Sequence, residues 1–186
     1  IEVSSHALAQ KRVNHVNFDA AIFSNLSRDH LDYHKDMESY GSTKKKLFTE
    51  WGLQSAIINI DDDYGKRIVN DSTADRVITY GKSGDLSWHG EYSSTGMRVE
   101  FSFEGKSIST DLSVHSEFEV ANIAAALAAF LSMGHSIDKL INLLPQLASV
   151  PGRMQKIPGP KGCPTVILDY AHTPDALERV LRACRH

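Results

Sequence analysis

Apolar and polar positions follow two different periods along this chain, and the change of period marks a change of architecture. Residues 18–26, "FDAAIFSNL", hold a short apolar run that ends in polar residues. That is the pattern of a buried strand delivering a loop at its carboxyl end. Residues 36–51, "DMESYGSTKKKLFTEW", space their apolar positions as a helix does, with Asp36 near its start. "SAIINI" (55–60) predicts a second buried strand, 61–71 a short helix, and "RVITYG" (76–81) a third strand closed by Gly81. Such alternation predicts an α/β fold, a mostly parallel sheet flanked by helices.

Beyond residue 85 the period becomes two. Met97, Val99, Phe101 and Phe103 alternate with polar residues, and after Glu104-Gly105 so do Ile108, Thr110 and Leu112. This predicts a hairpin with a tight turn and one wet face. With a further strand at 87–92, residues 85–113 read as a small antiparallel β subdomain. Residues 117–134 form an Ala-rich helix stopped by Gly134, and 136–148 a second helix with Ser136 as N-cap. The stretch 150–162, rich in Pro and Gly, reads as an exposed loop and linker, and 164–185 starts afresh as strand, loop and helix. The expected division is therefore one unit over 1–157, and over 158–186 a linker with the first strand–helix unit of another domain. The chain opens without Met and closes inside a predicted helix. The expectation is a fragment of a longer protein, its sheet incomplete on the N-terminal side.

Composition narrows the function classes. The 186 residues are 41% hydrophobic and 23% charged, the balance of an ordinary globular protein. A net charge of −3 argues against a general nucleic-acid or membrane-surface binder. No apolar run reaches the length of a membrane span. Cys163 and Cys184 are isolated and make no metal-binding spacing, so the expected location is a reducing cytoplasm. Oligomeric state is left open.

The lysine run within "GSTKKKLF" (41–48) is not uniform. At about 100° per residue, Lys44 falls in the middle of an apolar arc made by Met37, Tyr40, Leu47, Phe48 and Trp51, while Lys45 and Lys46 point toward water. A lysine on a buried face can lay its stem on apolar surface with the ammonium in water, or pair with a carboxylate. Alternatively it is desolvated, with a lowered pKa and a nucleophilic neutral amine that could form a Schiff base or a carbamate. The preceding loop, "NLSRDHLDYH" (25–34), concentrates Asn25, Ser27, Arg28, Asp29, His30, Asp32 and His34 where α/β proteins place ligands. His30 and His34 have the i,i+4 spacing of zinc helices, but the glutamate of HExxH and a third ligand are missing, so a surface pair is the simpler reading. Glu2, before a Ser-Ser pair at an expected strand end, could hold Mg²⁺ or be a plain strand-end carboxylate.

Together "EVSSHALAQKRV", "FSNLSRDHLDYHKDMESYGSTKKKLF", "INIDDDYG", "VPGRMQ" and "DYAHTPDALE" resemble the Mur ligase family, in its MurE type, over nearly the whole chain and in order. The resemblance implies a P-loop-NTPase-like fold and an ATP-dependent amide ligase of peptidoglycan synthesis, needing Mg²⁺. ATP would phosphorylate the carboxylate of UDP-N-acetylmuramoyl-L-Ala-D-Glu, and the amine of a third amino acid, expected to be meso-diaminopimelate, would displace phosphate. It implies that Lys44, in register from Tyr40, is carbamylated and a metal ligand with Glu2 and His30, and that Lys44 and His30 are catalytic. It places Ser4, Gln10 and Arg12 on the UDP-muramoyl dipeptide. Asn122, Arg153, Asp169 and His172 are implied to surround ATP. The sequence departs from the family at Ser116-Glu117-Phe118-Glu119, where a Gly-x-Phe-Asn pattern is usual, which puts nucleotide contacts near Glu119 in doubt. No Gly-rich P-loop with Lys-Thr is present among these residues, so the 186 residues alone are expected to be inactive. A related ligase, such as folylpolyglutamate synthetase or another Mur member, is the alternative enzyme. A non-catalytic module on a Mur scaffold is the alternative of another class, against which the presence of Glu2, His30 and Lys44 argues.

Overall fold

A computed structural model describes all residues except Ser149, Lys161 and His186. In chain order the elements are α1 (Ser5–Ala9), β1 (Ala20–Phe23), α2 (Leu31–His34), α3 (Met37–Thr49), β2 (Ser55–Asn59), α4 (Asp63–Asp71) and β3 (Arg76–Gly81). There follow β4 (Leu86–Ser93), β5 (Gly96–Phe103), β6 (Lys106–Leu112), α5 (Glu117–Ser132), α6 (Ile137–Ile141), a 3₁₀ turn (Leu144–Gln146), β7 (Gln155–Ile157), β8 (Val166–Leu168) and α7 (Pro174–Ala183).

Strands β1 to β6 form one sheet in sequential order. The β1–β2, β2–β3 and β3–β4 pairs are parallel, and β4–β5 and β5–β6 antiparallel. The alternating region is therefore a continuation of the parallel sheet rather than a layer of its own. The β3–β4 parallel step spans only residues 82–85. Asp85 makes it possible: its Oδ2 accepts from the Thr79 amide at 2.9 Å and the Thr79 hydroxyl at 2.7 Å. Glu104 and Gly105 turn β5 into β6 with φ of 50° and 78°, as a tight hairpin requires.

Both faces of the parallel part are covered. Ala21, Phe23, Ala56 and Ile58 pack with Leu8, Leu47, Phe48, Tyr64 and Ile68 from α1, α3 and α4. Ile57, Ile78 and Tyr80 pack on the other face with α5 and α6 through Val120, Ala124, Leu127, Ala128, Ile137 and Ile141. This explains the unbroken apolar run of β2, since successive side chains enter opposite cores. Small residues at Ala124, Ala125 and Ala128 let α5 lie close to the sheet.

Three expectations change, while residues 1–4 carry no strand and lead into α1, whose N-cap is Ser4. The helix expected over 136–148 stops at Ile141 and resumes as a 3₁₀ turn, because Pro145 has no amide to donate and crowds the preceding turn. The stretch 150–162 is not only loop: β7 pairs antiparallel with β8. Finally, α2 is a single turn whose first cap, His30, is left-handed at φ 54°, so His30 and His34 do not lie together on a zinc-type helix. Among the described residues, no helix is long and apolar enough to cross a membrane.

Candidate functional site

Two regions gather the polar residues of interest, and the segment leaving β1 joins them. That segment is held at three points. Tyr80 donates from its hydroxyl to the Phe23 carbonyl at 3.2 Å, Asn59 donates its amide to the Ser24 carbonyl at 2.7 Å, and Asp62 accepts from the Leu26 amide at 2.9 Å. The other oxygen of Asp62 caps α4 through the Tyr64 and Gly65 amides. Asp62, the middle residue of the acidic "DDD" run, thus fixes the path of the loop.

The first region centres on Lys44. Its helix starts at Asp36, which accepts from the Ser39 amide at 2.7 Å as an N-cap. Lys44 is half-buried on the face of α3 that also buries Tyr40, Leu47 and Phe48. Its Nζ lies 5.3 Å from the centroid of the Tyr40 ring. Burial pushes the Lys44 amine below its ordinary pKa, against the opposing pull of the Glu2 and Asp29 carboxylates. Lys45 does not simply face water; it reaches Asp71 on α4 at 2.8 Å.

Around Tyr40 three imidazoles converge. His30 approaches it edge-on at 5.9 Å, and His6 packs edge-on against His30 in turn at 4.9 Å. Asp29 steadies His30 by accepting from its backbone amide at 2.8 Å, with the other oxygen 3.5 Å from Nε2. His34 is buried, stacked on Tyr40 at 5.3 Å and within 2.8 Å of the Ser5 hydroxyl. A surface histidine pair is thereby excluded. Burial and the neighbouring imidazoles of His6 and His30 hold His34 below its ordinary pKa, so it is neutral near pH 7. Glu2 is exposed on the approach to α1. Ser4 accepts from the Ala7 amide at 3.2 Å, and Gln10 and Arg12 are exposed at the end of the same short helix.

The second region is a cavity of about 860 Å³ between α5, the 3₁₀ turn and the start of α7. Asn122, Arg153, Asp169 and His172, far apart in sequence, all line it. So do Asn25 and Ser27 from the end of β1 and Glu119 from α5. The Asn122 side chain is exposed and makes no hydrogen bond among the described residues, against the simpler reading that it serves a neighbouring backbone. Arg153 lies over the Tyr170 ring at 5.3 Å. Asp169 accepts from the Met154 amide at 2.9 Å and the Ala171 amide at 2.8 Å, tying the loop before β7 to the end of β8. His172 Nδ1 donates to the Tyr170 carbonyl at 3.0 Å. Glu119 has a structural duty as well: its Oε2 accepts from the His115 amide and the Ser116 hydroxyl, while Ser116 accepts from the Glu119 amide. These bonds make a variant of the capping box at the start of α5, in which the glutamate takes the amide before the N-cap in place of the N-cap's own.

Residues 1–130 match the Mur ligase middle domain. The chain belongs to the Mur ligase family. Within that family it is similar to UDP-N-acetylmuramoyl-L-alanyl-D-glutamate–2,6-diaminopimelate ligases. It is 45% identical to the one from Aquifex aeolicus over 99% of this chain and 38% of the relative, and 40% identical to the one from Pseudomonas aeruginosa over 100% and 39%. A solved structure of a ligase of that name superimposes with a TM-score of 0.81 at 34% identity, over 99% of this chain and 39% of the other. The chain spans under two fifths of the length of these Mur ligases.

Sequence reasoning did not select His6 or Tyr33 as partners in the first region, whereas Tyr40 was on the arc of Lys44 and Asn25 in the loop after β1. His6 carries no local signal, because helix packing brings it in.

Proposed function

We propose that this Mur ligase segment is the later part of the central domain of an ATP-dependent amide ligase, with residues 158–186 opening the C-terminal domain. The ligase adds meso-diaminopimelate to UDP-N-acetylmuramoyl-L-Ala-D-Glu in peptidoglycan synthesis, in the cytoplasm. The observation that carries the reading is the 860 Å³ cavity, in which four residues chosen as nucleotide contacts meet the loop from β1. The names of the relatives supply the reaction.

In this reading Asn122 reads the base, Arg153 approaches the phosphates with its guanidinium, Asp169 stands toward the ribose and His172 near the nucleotide. Asp169 already carries two backbone amides, so it acts as a preset acceptor whose position is fixed before ligand arrives. Ser4, Gln10 and Arg12 contact the muramoyl dipeptide.

Lys44 as an ammonium would repel a cation, and among the described residues no group of three or more His, Cys, Asp or Glu is arranged to hold a metal. Carbamylation resolves this. The neutral amine, favoured by burial, attacks the carbon of CO₂; an N–C bond forms, a proton leaves, and the side chain becomes an anion with two oxygens. Such a carbamate suits hard Mg²⁺, with Glu2 and His30 completing the protein's share. Bound Mg²⁺ supplies charge neutralisation for the phosphates. Glu2, His30 and the Lys44 carbamate would hold the ion, with the Tyr40 ring beside the Lys44 amine.

The test is phosphate release from ATP by an enzyme carrying this segment. Release should require both the UDP-muramoyl dipeptide and diaminopimelate, with lysine a poor substitute. Release independent of the dipeptide would overturn the reading. The 186 residues alone should show no turnover.

A further inference from the structure

His34 is a buried polar residue for which the ligase reading has no use. It is 6% exposed, and Ser5, within 2.8 Å of its Nε2, is 1% exposed. That bond joins α1, the helix that follows Glu2 and is capped by Ser4, to the turn of α2. On its other side the imidazole lies nearly parallel to Tyr40, with centroids 5.3 Å apart and planes 24° apart. Tyr40 is itself 6% exposed, and the Lys44 amine rests 5.3 Å from its ring centre. Tyr33 packs its edge on His34 at 4.8 Å and His6 at 5.6 Å.

A buried histidine with one polar partner is commonly core filling. Here the stack does not end in the core; it ends at a half-buried amine. An aromatic ring attracts that amine in either charge state, as a cation over the π face or through a weaker N–H contact with it. Where the amine rests therefore depends on where the ring plane lies. The ring plane depends on the flat partner beneath it, and that partner's rotation is set by its bond to Ser5. Removing the bond leaves the imidazole's orientation to packing alone, and removing the flat ring leaves Tyr40 room to tilt.

We propose that His34 is a positioning residue for Lys44: bonded to Ser5 and stacked on Tyr40, it fixes the tyrosine ring on which the Lys44 amine rests, and so sets where that amine is presented. The functional consequence rests on the carbamate reading of Lys44; the positional claim does not.

The experiment uses the chain with ¹³C-labelled lysine, followed by NMR. In the wild type the ε-methylene protons of Lys44 should be displaced upfield by the Tyr40 ring relative to those of exposed Lys46. His34→Gln can still bond Ser5 but cannot stack, and should lose that displacement. His34→Phe keeps a flat ring without the bond, and should keep part of it. Ser5→Ala removes the bond with least disturbance to packing; it should shift Lys44 in the same direction as His34→Phe, and the double variant should add nothing further. A Lys44 signal that stays at its wild-type place in folded Ser5→Ala and His34→Gln overturns the proposal, whatever either variant does to thermal stability. Should His34→Gln not fold, Ser5→Ala decides alone. A second arm adds ¹³C-bicarbonate and reads the carbamate carbon, expected to be depleted in His34→Gln. Absence of that signal from the wild type, with the upfield displacement intact, sinks the carbamate reading and leaves the positioning result standing.

Discussion

Lys44 shows how one residue can carry a chemistry its letter does not name. Its three-lysine context suggests a solvated run, yet only Lys46 of the three is exposed, while Lys45 pairs with Asp71 and Lys44 turns to Tyr40. In an enzyme carrying this segment, Lys44→Ala should lower kcat by about 10²–10³, the scale of losing one preorganised charge-stabilising group. Short carboxylates added to the assay should restore part of the phosphate release. Asp169 predicts a different outcome. Asp169→Ala strips the Met154 and Ala171 amides of their acceptor, at a cost of about 1–3 kcal/mol in urea unfolding. ATP affinity should fall in the same variant. Asp169→Asn, which keeps one acceptor oxygen, should recover stability more than affinity.

At the scale of elements, caps and clamps decide where the site residues stand. Asp62 serves α4 with one oxygen and the Leu26 amide with the other. Asp62→Ser retains a good helix cap but is too short to reach Leu26 as well. Hydrogen exchange should therefore quicken at Leu26 while the Tyr64 and Gly65 amides keep their protection; equal loss at all three would refute the division of labour. The capping box of α5 makes a similar point. Ser116 and Glu119 replace a pattern usual in the family, and their reciprocal bonds account for the pair. Ser116→Ala should cost about 1 kcal/mol in chemical denaturation. Gly65 is required for closeness rather than conformation: a Cβ there would lie 1.8 Å from the Asn59 carbonyl, so α4 can meet the end of β2 only without one.

For the whole molecule, the buried imidazole links stability to pH. His34 is held below its ordinary value of 6.5, so as pH falls the unfolded chain takes up the proton first. Its contribution is complete above about pH 6.5 and declines as pH drops toward the folded-state value. His6, His30 and Lys44 strengthen the effect and Asp32 opposes it. Denaturation midpoints measured from pH 7.5 to 5 should fall, and His34→Phe should flatten that slope.

The sequence determined much by itself. Period fixes β2, β3, the β5–β6 hairpin and α5, because burial on one face or two leaves a local pattern that needs no partner to be read. Lys44 was legible for the same reason, as a polar letter on an apolar arc, and the motifs carried the family. Only tertiary structure decided the rest. Pro145 cut a helix that periodicity had extended, and three residues of β7 found β8 across a loop without period of their own. His34, by spacing a surface or zinc residue, became buried because α1 packs beside α3 and brings Ser5 to its ring. The cavity exists because α5 and the segment after β8 converge on the end of β1. Those are contacts between distant parts of the chain, and no local pattern encodes them.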